Sequence, residues 1–193
     1  MKDFIQNIPQ IHYYGNNIGI IKKKFNVVLS CHSIEHQINF INHLNDVSKL
    51  LRDNSYYIII CPDKRYCFDH YIKESTIADI LEMYNNNTNK HSLKSLIEHR
   101  TLVTHNDTIR HWNGDHGIQR INNSEFDYLL KSSMDEFYNN ENYIDVHSLQ
   151  FTPNSFKSII NILKKNNFIN FDIEQIYHTK KNQNEFIVIL KKI

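Results

Sequence analysis

Length, composition and charge place the chain among ordinary globular proteins. Its 193 residues suit one domain, with 40% hydrophobic and 22% charged residues. The formal net charge of +1 excludes a global electrostatic field that would attract nucleic acid or an anionic membrane. No apolar run reaches signal-peptide or membrane-span length, and the three cysteines fit no zinc or redox spacing. We expect a soluble, cytoplasmic protein with free thiols, no nucleic-acid partner and no membrane partner.

The first part of the chain predicts a strand–helix–strand unit. Residues 11–14 are a candidate short strand, and the apolar, β-branched run at 25–30 is typical of a strand covered on both faces. After Ser33, a candidate helix cap, apolar residues recur every three or four positions up to a polar break at 53–55. Residues 56–61 predict a second buried strand, parallel to the first because the connecting helix allows a right-handed crossover.

The remainder of the chain predicts further helices and a closing hairpin. Loops at 62–72 and 103–118 alternate with helical patterns at 75–84, 91–99 and 123–138. Another helix begins at Pro153, and Asn166 and Asn167 can close it in a left-handed turn. Residues 168–178 and 185–191 predict two antiparallel strands. The order predicts one α/β domain over 1–193, with parallel strands, helical insertions and a C-terminal antiparallel hairpin.

Three sequence segments carry a resemblance to a known family. FNVVLSCHSIEH at 25–36 contains an HxxEH signature, and the segment at 56–70 contains PDKRYCFDH. The third segment is HNDTIRHWNGDHG at 105–117. In this order and spacing they resemble the fourth strand, the fifth strand with its loop, and a later loop of a bacterial group of class I S-adenosylmethionine-dependent methyltransferases.

The resemblance implies a partial Rossmann-like class I methyltransferase fold, a doubly wound sheet that ends in an antiparallel hairpin. It implies S-adenosylmethionine as the cofactor, bound across the carboxyl ends of the strands. The residues implied to border the cofactor are Ser30, Cys31 and His32, and those implied to face the acceptor are Asp63, Lys64 and Arg65. The candidate catalytic bases are His32, Asp63 and His111.

The loop at 105–116 is rich in polar residues that have three interpretations. Its candidates for acceptor recognition are His105, Asp107, Arg110, Asp115 and His116. The alternatives are a metal site and a salt-bridged structural loop; the spacings are weak metal signals and Arg110 would repel a cation, so no metal ligand is assigned. Trp112 can pack as a lid or in the core, and we expect the core. We also expect at least part of the loop to share one cleft with His32 and Asp63.

The HxxEH segment also has a structural interpretation. His32 and His36 flank a predicted helix start, where they can be a capping, solvent-exposed pair or can handle cofactor and protons. Glu35 would lie in the first helical turn, where the helix dipole favours a negative charge without any chemistry.

The glycine-rich loop with which the family holds its cofactor has no counterpart in the chain. The four glycines are Gly15, Gly19, Gly114 and Gly117, and none forms a GxGxG pattern after a strand. We therefore expect a methyltransferase-like domain that is truncated at its N-terminal side, with a decayed homologue and half of a split enzyme as alternatives. Such a chain should bind S-adenosylmethionine weakly or not at all, and a second copy or a companion chain would cover its exposed sheet edge.

Three functional hypotheses follow. The first is methyl transfer from S-adenosylmethionine to a small or glycan-like acceptor, in which proximity and orientation supply most of the acceleration. The second is a non-catalytic binding or partner protein that retains the C-terminal half of the fold. The third is a metal-dependent hydrolase built on the histidines and aspartates of the 105–116 loop.

Overall fold

A four-stranded mixed sheet with helices is the framework of the computed structural model, which describes residues 18–87, 89–121 and 124–193. The strands are β1 (Phe25–Cys31), β2 (Leu51–Pro62), β3 (Phe171–Tyr177) and β4 (Glu185–Lys192). The helices are α1 (Phe40–Leu50), α2 (Ile77–Asn86), α3 (Leu93–Leu102), α4 (Thr108–Trp112), α5 (Ser124–Asn139) and α6 (Pro153–Lys165). Two 3₁₀ turns span Ile18–Ile20 and Ile34–His36. The predicted strand at 11–14 lies outside the described residues.

The strand order is β1-β2-β4-β3. β1 and β2 are parallel neighbours, with Ser30 opposite Ile59, and α1 connects them. β4 is antiparallel to both β2 and β3. The predicted α/β class, the parallel pair and the antiparallel hairpin are thereby confirmed. The position of β4 between β2 and β3 was not predicted, because pairing with β2 depends on contacts far apart in sequence.

The predicted helix after β1 begins later than expected. Ser33 makes no side-chain capping bond and precedes only the 3₁₀ turn. The α1 helix is capped by Asn39, whose side chain accepts a hydrogen bond from Asn42 N at 3.0 Å. A side-chain oxygen at this position satisfies one of the unpaired N–H groups of the first turn. The Glu35–His36 pair therefore lies in a separate turn and not in the first turn of an α-helix.

Two segments that we predicted to interrupt the secondary structure are part of it or contain some of it. The break at 53–55 lies inside β2, where Asn54 has a φ of 60° and the register with β1 shifts between Phe25 and Val27. Asparagine tolerates this left-handed conformation better than most residues, so the strand continues through a bulge. The predicted loop at 103–118 contains the short helix α4. Asn167, with a φ of 60°, follows α6 as predicted.

Aromatic side chains fill the core between the sheet and the helices α1 and α6. Phe40, Phe151, Phe156 and Phe186 are each no more than 1% exposed, and the rings of Phe151 and Phe156 lie 5.0 Å apart. All three cysteines are free, as expected. In the described part of the chain, no helix has the length and apolar character needed to cross a membrane.

A half-buried histidine links α1 to the sheet and predicts a pH-dependent stability. His43 Nε2 lies 3.0 Å from Tyr57 Oη, which lies 2.8 Å from Ser30 Oγ. Burial lowers the pKa of His43 to about 4, whereas the unfolded chain keeps about 6.5. As the pH falls from about 6.5 to 4, His43 becomes protonated in the unfolded chain but stays neutral in the folded one. The free energy of unfolding should therefore fall by up to ~3 kcal/mol over this interval.

Urea unfolding at several pH values between 7.5 and 4 measures this loss. The variant His43→Gln removes the titrating group, so its free energy of unfolding should depend less steeply on pH over the same interval. Equal pH dependence in the variant and the parent chain would show that His43 does not couple protonation to folding.

Candidate functional site

The three segments of the resemblance meet at the carboxyl ends of β1 and β2. Asp63, which follows β2, donates its backbone N–H to the carbonyl of Asn184 at 2.7 Å. The indole N–H of Trp112 donates to the neighbouring carbonyl of Gln183 at 2.8 Å. His32 follows β1 and contacts Glu185, the first residue of β4, at 2.8 Å. The turn between β3 and β4 thus connects all three segments.

The 105–117 loop also stacks directly on the loop after β2. The rings of Tyr66 and Trp112 lie parallel with centroids 3.9 Å apart, and those of His70 and His116 lie parallel at 3.6 Å. Trp112 is half-buried in this stack. Our expectation that it belongs to the core is wrong, because the indole ring stacks on the face of the Tyr66 ring and its N–H donates to a backbone carbonyl.

Asp63 is a fully buried carboxylate with several donors. It accepts hydrogen bonds from Arg65 Nε at 2.9 Å, Arg65 Nη2 at 2.6 Å, Arg65 N at 3.1 Å and Thr179 Oγ1 at 2.6 Å. The neighbouring Lys64 donates to the carbonyl of His70 at 2.8 Å, and burial lowers the pKa of its amine. This geometry favours a structural role for Asp63 over its predicted role as a base.

The polar residues of the 105–116 loop bond mainly to one another. Asp107 caps α4 by accepting from Ile109 N and Arg110 N. Arg110 Nε donates to Asp115 Oδ2 at 2.8 Å, and this contact is the main cause that lowers the pKa of Asp115 to about 2. His105 Nε2 lies 3.1 Å from the carbonyl of Asp115. Of the three interpretations of these residues, the salt-bridged structural loop describes these contacts best.

Three histidines of this region form a compact cluster, His70, His111 and His116, that could hold a metal ion. His111 is 2% exposed, donates from Nε2 to the carbonyl of His105 at 3.0 Å and has its Nδ1 3.0 Å from His116 Nδ1. His70 Nδ1 donates to the carbonyl of Arg65 at 2.9 Å. Burial is the first cause that lowers the pKa of His111 and of His116. The sequence placed two of these histidines in one loop but did not place His70 beside them.

A cavity of about 800 Å³ lies beside the turn that follows β1. Its lining includes His32, His36, Tyr143 and Asp145. Of the residues implied to bind cofactor, His32 is thus at the cavity, whereas Ser30 bonds to Tyr57 Oη at 2.8 Å and Cys31 is exposed. The three segments lie at one edge of the sheet, but the shared cleft that we expected is not found among the described residues, because the lining of this cavity contains His32 but neither Asp63 nor the 105–116 loop.

A second cluster was missed by the sequence analysis. Glu35 is buried, with His36 and His147 placed so that the three residues could share a metal ion. Asp69 Oδ2 lies 2.7 Å from His147 Nδ1. The HxxEH signature contained the only sequence signal for this cluster, since Asp69 and His147 are separated by 78 residues.

Comparisons of the chain with models of protein families, with curated proteins and with solved structures found no match.

Proposed function

We propose that the chain is a methyltransferase-like protein of class I, whose function is methyl transfer from S-adenosylmethionine to a small or glycan-like acceptor. The observation that carries the proposal is that residues 25–36, 56–70 and 105–117 meet at one edge of the sheet. That edge is the carboxyl end of a parallel pair, where open α/β sheets bind their ligands.

Methyl transfer places a narrow chemical demand on the protein. The donor methyl and the acceptor must be held in line, and a base is needed only where the acceptor loses a proton. Of the three candidate bases, His32 is the one that lines the cavity. Glu185 Oε2, 2.8 Å from His32 Nε2, can accept a hydrogen bond from that nitrogen, which leaves Nδ1 with the lone pair that takes up a proton. We therefore assign the base role to His32.

One observation favours the second hypothesis, a partner protein without catalysis. β1 is at the end of the strand order, and no strand of the described residues pairs with its outer side. Its side chains Val27 and Leu29 are 48% and 61% exposed. An unpaired edge of this kind is a template for pairing with another chain.

Titration with S-adenosylmethionine tests the proposal. Without the backbone donors of a glycine loop, we expect at best weak binding: three lost hydrogen bonds cost at least about 2 kcal/mol, or roughly 30-fold in affinity. The fluorescence of Trp112, the single tryptophan, reports binding beside the site. His32→Asn should weaken the signal further, whereas the exposed His178→Asn should leave it unchanged.

The opposite results are informative as well. Tight micromolar binding by the parent chain would show that the cofactor site does not require a glycine loop. A complete lack of binding at millimolar cofactor, together with a stable dimer or a captured strand at β1, would favour the partner hypothesis.

A further inference from the structure

Glu35 presents a buried carboxylate that no other described residue satisfies. Its side chain is 2% exposed, and neither carboxylate oxygen accepts a hydrogen bond from another residue of the described chain. Buried carboxylates in proteins are as a rule hydrogen-bonded, paired with a cation or bound to a metal ion. The Glu35 backbone is firmly placed, since its carbonyl accepts from Ser148 N at 2.9 Å and Leu149 N at 3.2 Å. This carboxylate, which accepts no hydrogen bond from another described residue, therefore belongs to an ordered part of the fold.

Two imidazole nitrogens approach the same oxygen of this carboxylate. Nε2 of His36 and Nε2 of His147 each lie 3.8 Å from Glu35 Oε1. The distance is too long for a hydrogen bond. It fits two ligand atoms of one ion, because donors about 2.1 Å from Zn²⁺ are about 3.4 Å apart at the tetrahedral angle and ~3.8 Å apart at a wider one. The three donor atoms all lie within 4.8 Å of one another.

In both imidazoles, the Nδ1 atom, which faces away from Glu35, lies close to another carboxylate. His147 Nδ1 lies 2.7 Å from Asp69 Oδ2, a buried hydrogen bond. His36 Nδ1 lies 2.9 Å from Asp145 Oδ1, at ion-pair distance, although the contact is not aligned as a hydrogen bond. A carboxylate in this position holds the tautomer whose Nε2 carries a lone pair, and it is the usual outer partner of a metal-bound histidine.

We infer that Glu35, His36 and His147 form a binding site for a divalent transition-metal ion of the Zn²⁺ type. Two imidazoles and one carboxylate are a ligand set of catalytic zinc sites, in which the fourth position is open to water or substrate. His36 also lines the cavity of about 800 Å³, which brings solvent to one side of the cluster. The inference does not rest on methyl transfer, which requires no metal.

The three-histidine cluster of His70, His111 and His116 is the rival location for an ion. Nδ1 of His111 and Nδ1 of His116 lie 3.0 Å apart, a hydrogen-bond distance that is shorter than the ~3.4 Å between two tetrahedral ligands of Zn²⁺, and His70 and His111 each bond to a backbone carbonyl through the other nitrogen. The Glu35 cluster contains instead a buried acceptor without a donor. The two locations also differ in composition, two nitrogens and one oxygen in the first and three nitrogens in the second, which makes them distinguishable by experiment.

Competition titration of the metal-stripped full chain with Zn²⁺ and a chromophoric chelator tests the inference. We expect saturation at about one ion per chain. Glu35→Gln keeps the shape but removes the charge and should weaken binding at least about 100-fold, and Asp69→Asn should weaken it about 10–100-fold. His116→Gln, in the rival cluster, should leave the affinity unchanged. Retained affinity in Glu35→Gln with loss in His116→Gln would overturn the inference.

X-ray absorption of the Zn²⁺-loaded parent chain gives the ligand composition without any variant. Two imidazoles with oxygen ligands are expected; three imidazoles, or no saturable binding at all, would overturn the site. Circular dichroism of each variant shows whether it is folded. Where a variant does not fold, the X-ray absorption of the parent chain decides the ligand set instead. The S-adenosylmethionine titration is run in the presence of a chelator, so that its result does not depend on bound metal. A negative Zn²⁺ titration then leaves the methyl-transfer proposal unaffected, and a negative S-adenosylmethionine titration leaves the metal-site inference unaffected.

Discussion

Asp63→Asn should lower the free energy of unfolding by about 3 kcal/mol, because it breaks a buried charge network. The Asp63 side chain is fully buried and accepts from the guanidinium of Arg65 and the hydroxyl of Thr179. An amide of the same shape offers one acceptor oxygen in place of two and brings an N–H₂ group against existing donors. The loop after β2, which carries the second segment of the resemblance, loses its anchor in the variant.

Urea unfolding at pH 7.5 measures the loss, and Asp53→Asn is the matched control. Asp53 pairs with Lys192 at 3.1 Å, but its side chain is 85% exposed, so its neutralisation should change stability by less than ~1 kcal/mol. If Asp63→Asn kept the stability of the parent chain and lost methyl transfer alone, the assignment of a structural role would be wrong and Asp63 would be restored as a base.

Ile160→Ala in α6 should also cost about 3 kcal/mol of stability. Ile160 is 1% exposed and belongs to the core beneath the sheet. Removing three carbon atoms there loses the transfer free energy of those atoms and leaves a cavity that a close-packed core fills only in part. The same substitution two positions later, Ile162→Ala, changes a side chain that is 41% exposed and should cost less than ~1 kcal/mol.

Both variants are compared with the parent chain in the same denaturant series, with the m-value as a check that the unfolding transition is unchanged. The two substitutions are chemically identical and lie on one helix, so helix propensity contributes equally to both. Equal losses in the two variants would show that the packing of α6 against the sheet is not as described.

The two proposals for this chain place different chemistry around one cavity. His32 and His36 both line it, the first as the assigned base and the second as a proposed metal ligand. His32 Nδ1 lies 3.9 Å from Glu35 Oε1, so the two roles are neighbours in space. Variants of Glu35 and of His32 separate them, because the first changes the metal affinity and the second the cofactor response.

Local patterns in the sequence determined most of the secondary structure. The strand at 25–31, the buried part of β2 and the closing hairpin follow from short apolar runs bounded by polar turns. The α6 helix begins at Pro153 after a capping Thr152, and Asn167 ends it in a left-handed conformation. These features depend on neighbours within a few residues, which a linear sequence displays directly. The resemblance also indicated which segments share the carboxyl edge of the sheet.

Only the tertiary structure decided how distant polar groups are paired. It placed β4 between β2 and β3, gave Asp63 its donors, and brought His147 to Asp69 across 78 residues. It also separated Glu35 from the helix start to which its charge had been attributed, and left its carboxylate buried beside two imidazoles. The physical reason is that burial and hydrogen bonding of a side chain depend on every element packed around it, whereas helical and strand periodicity depend on the local chain alone.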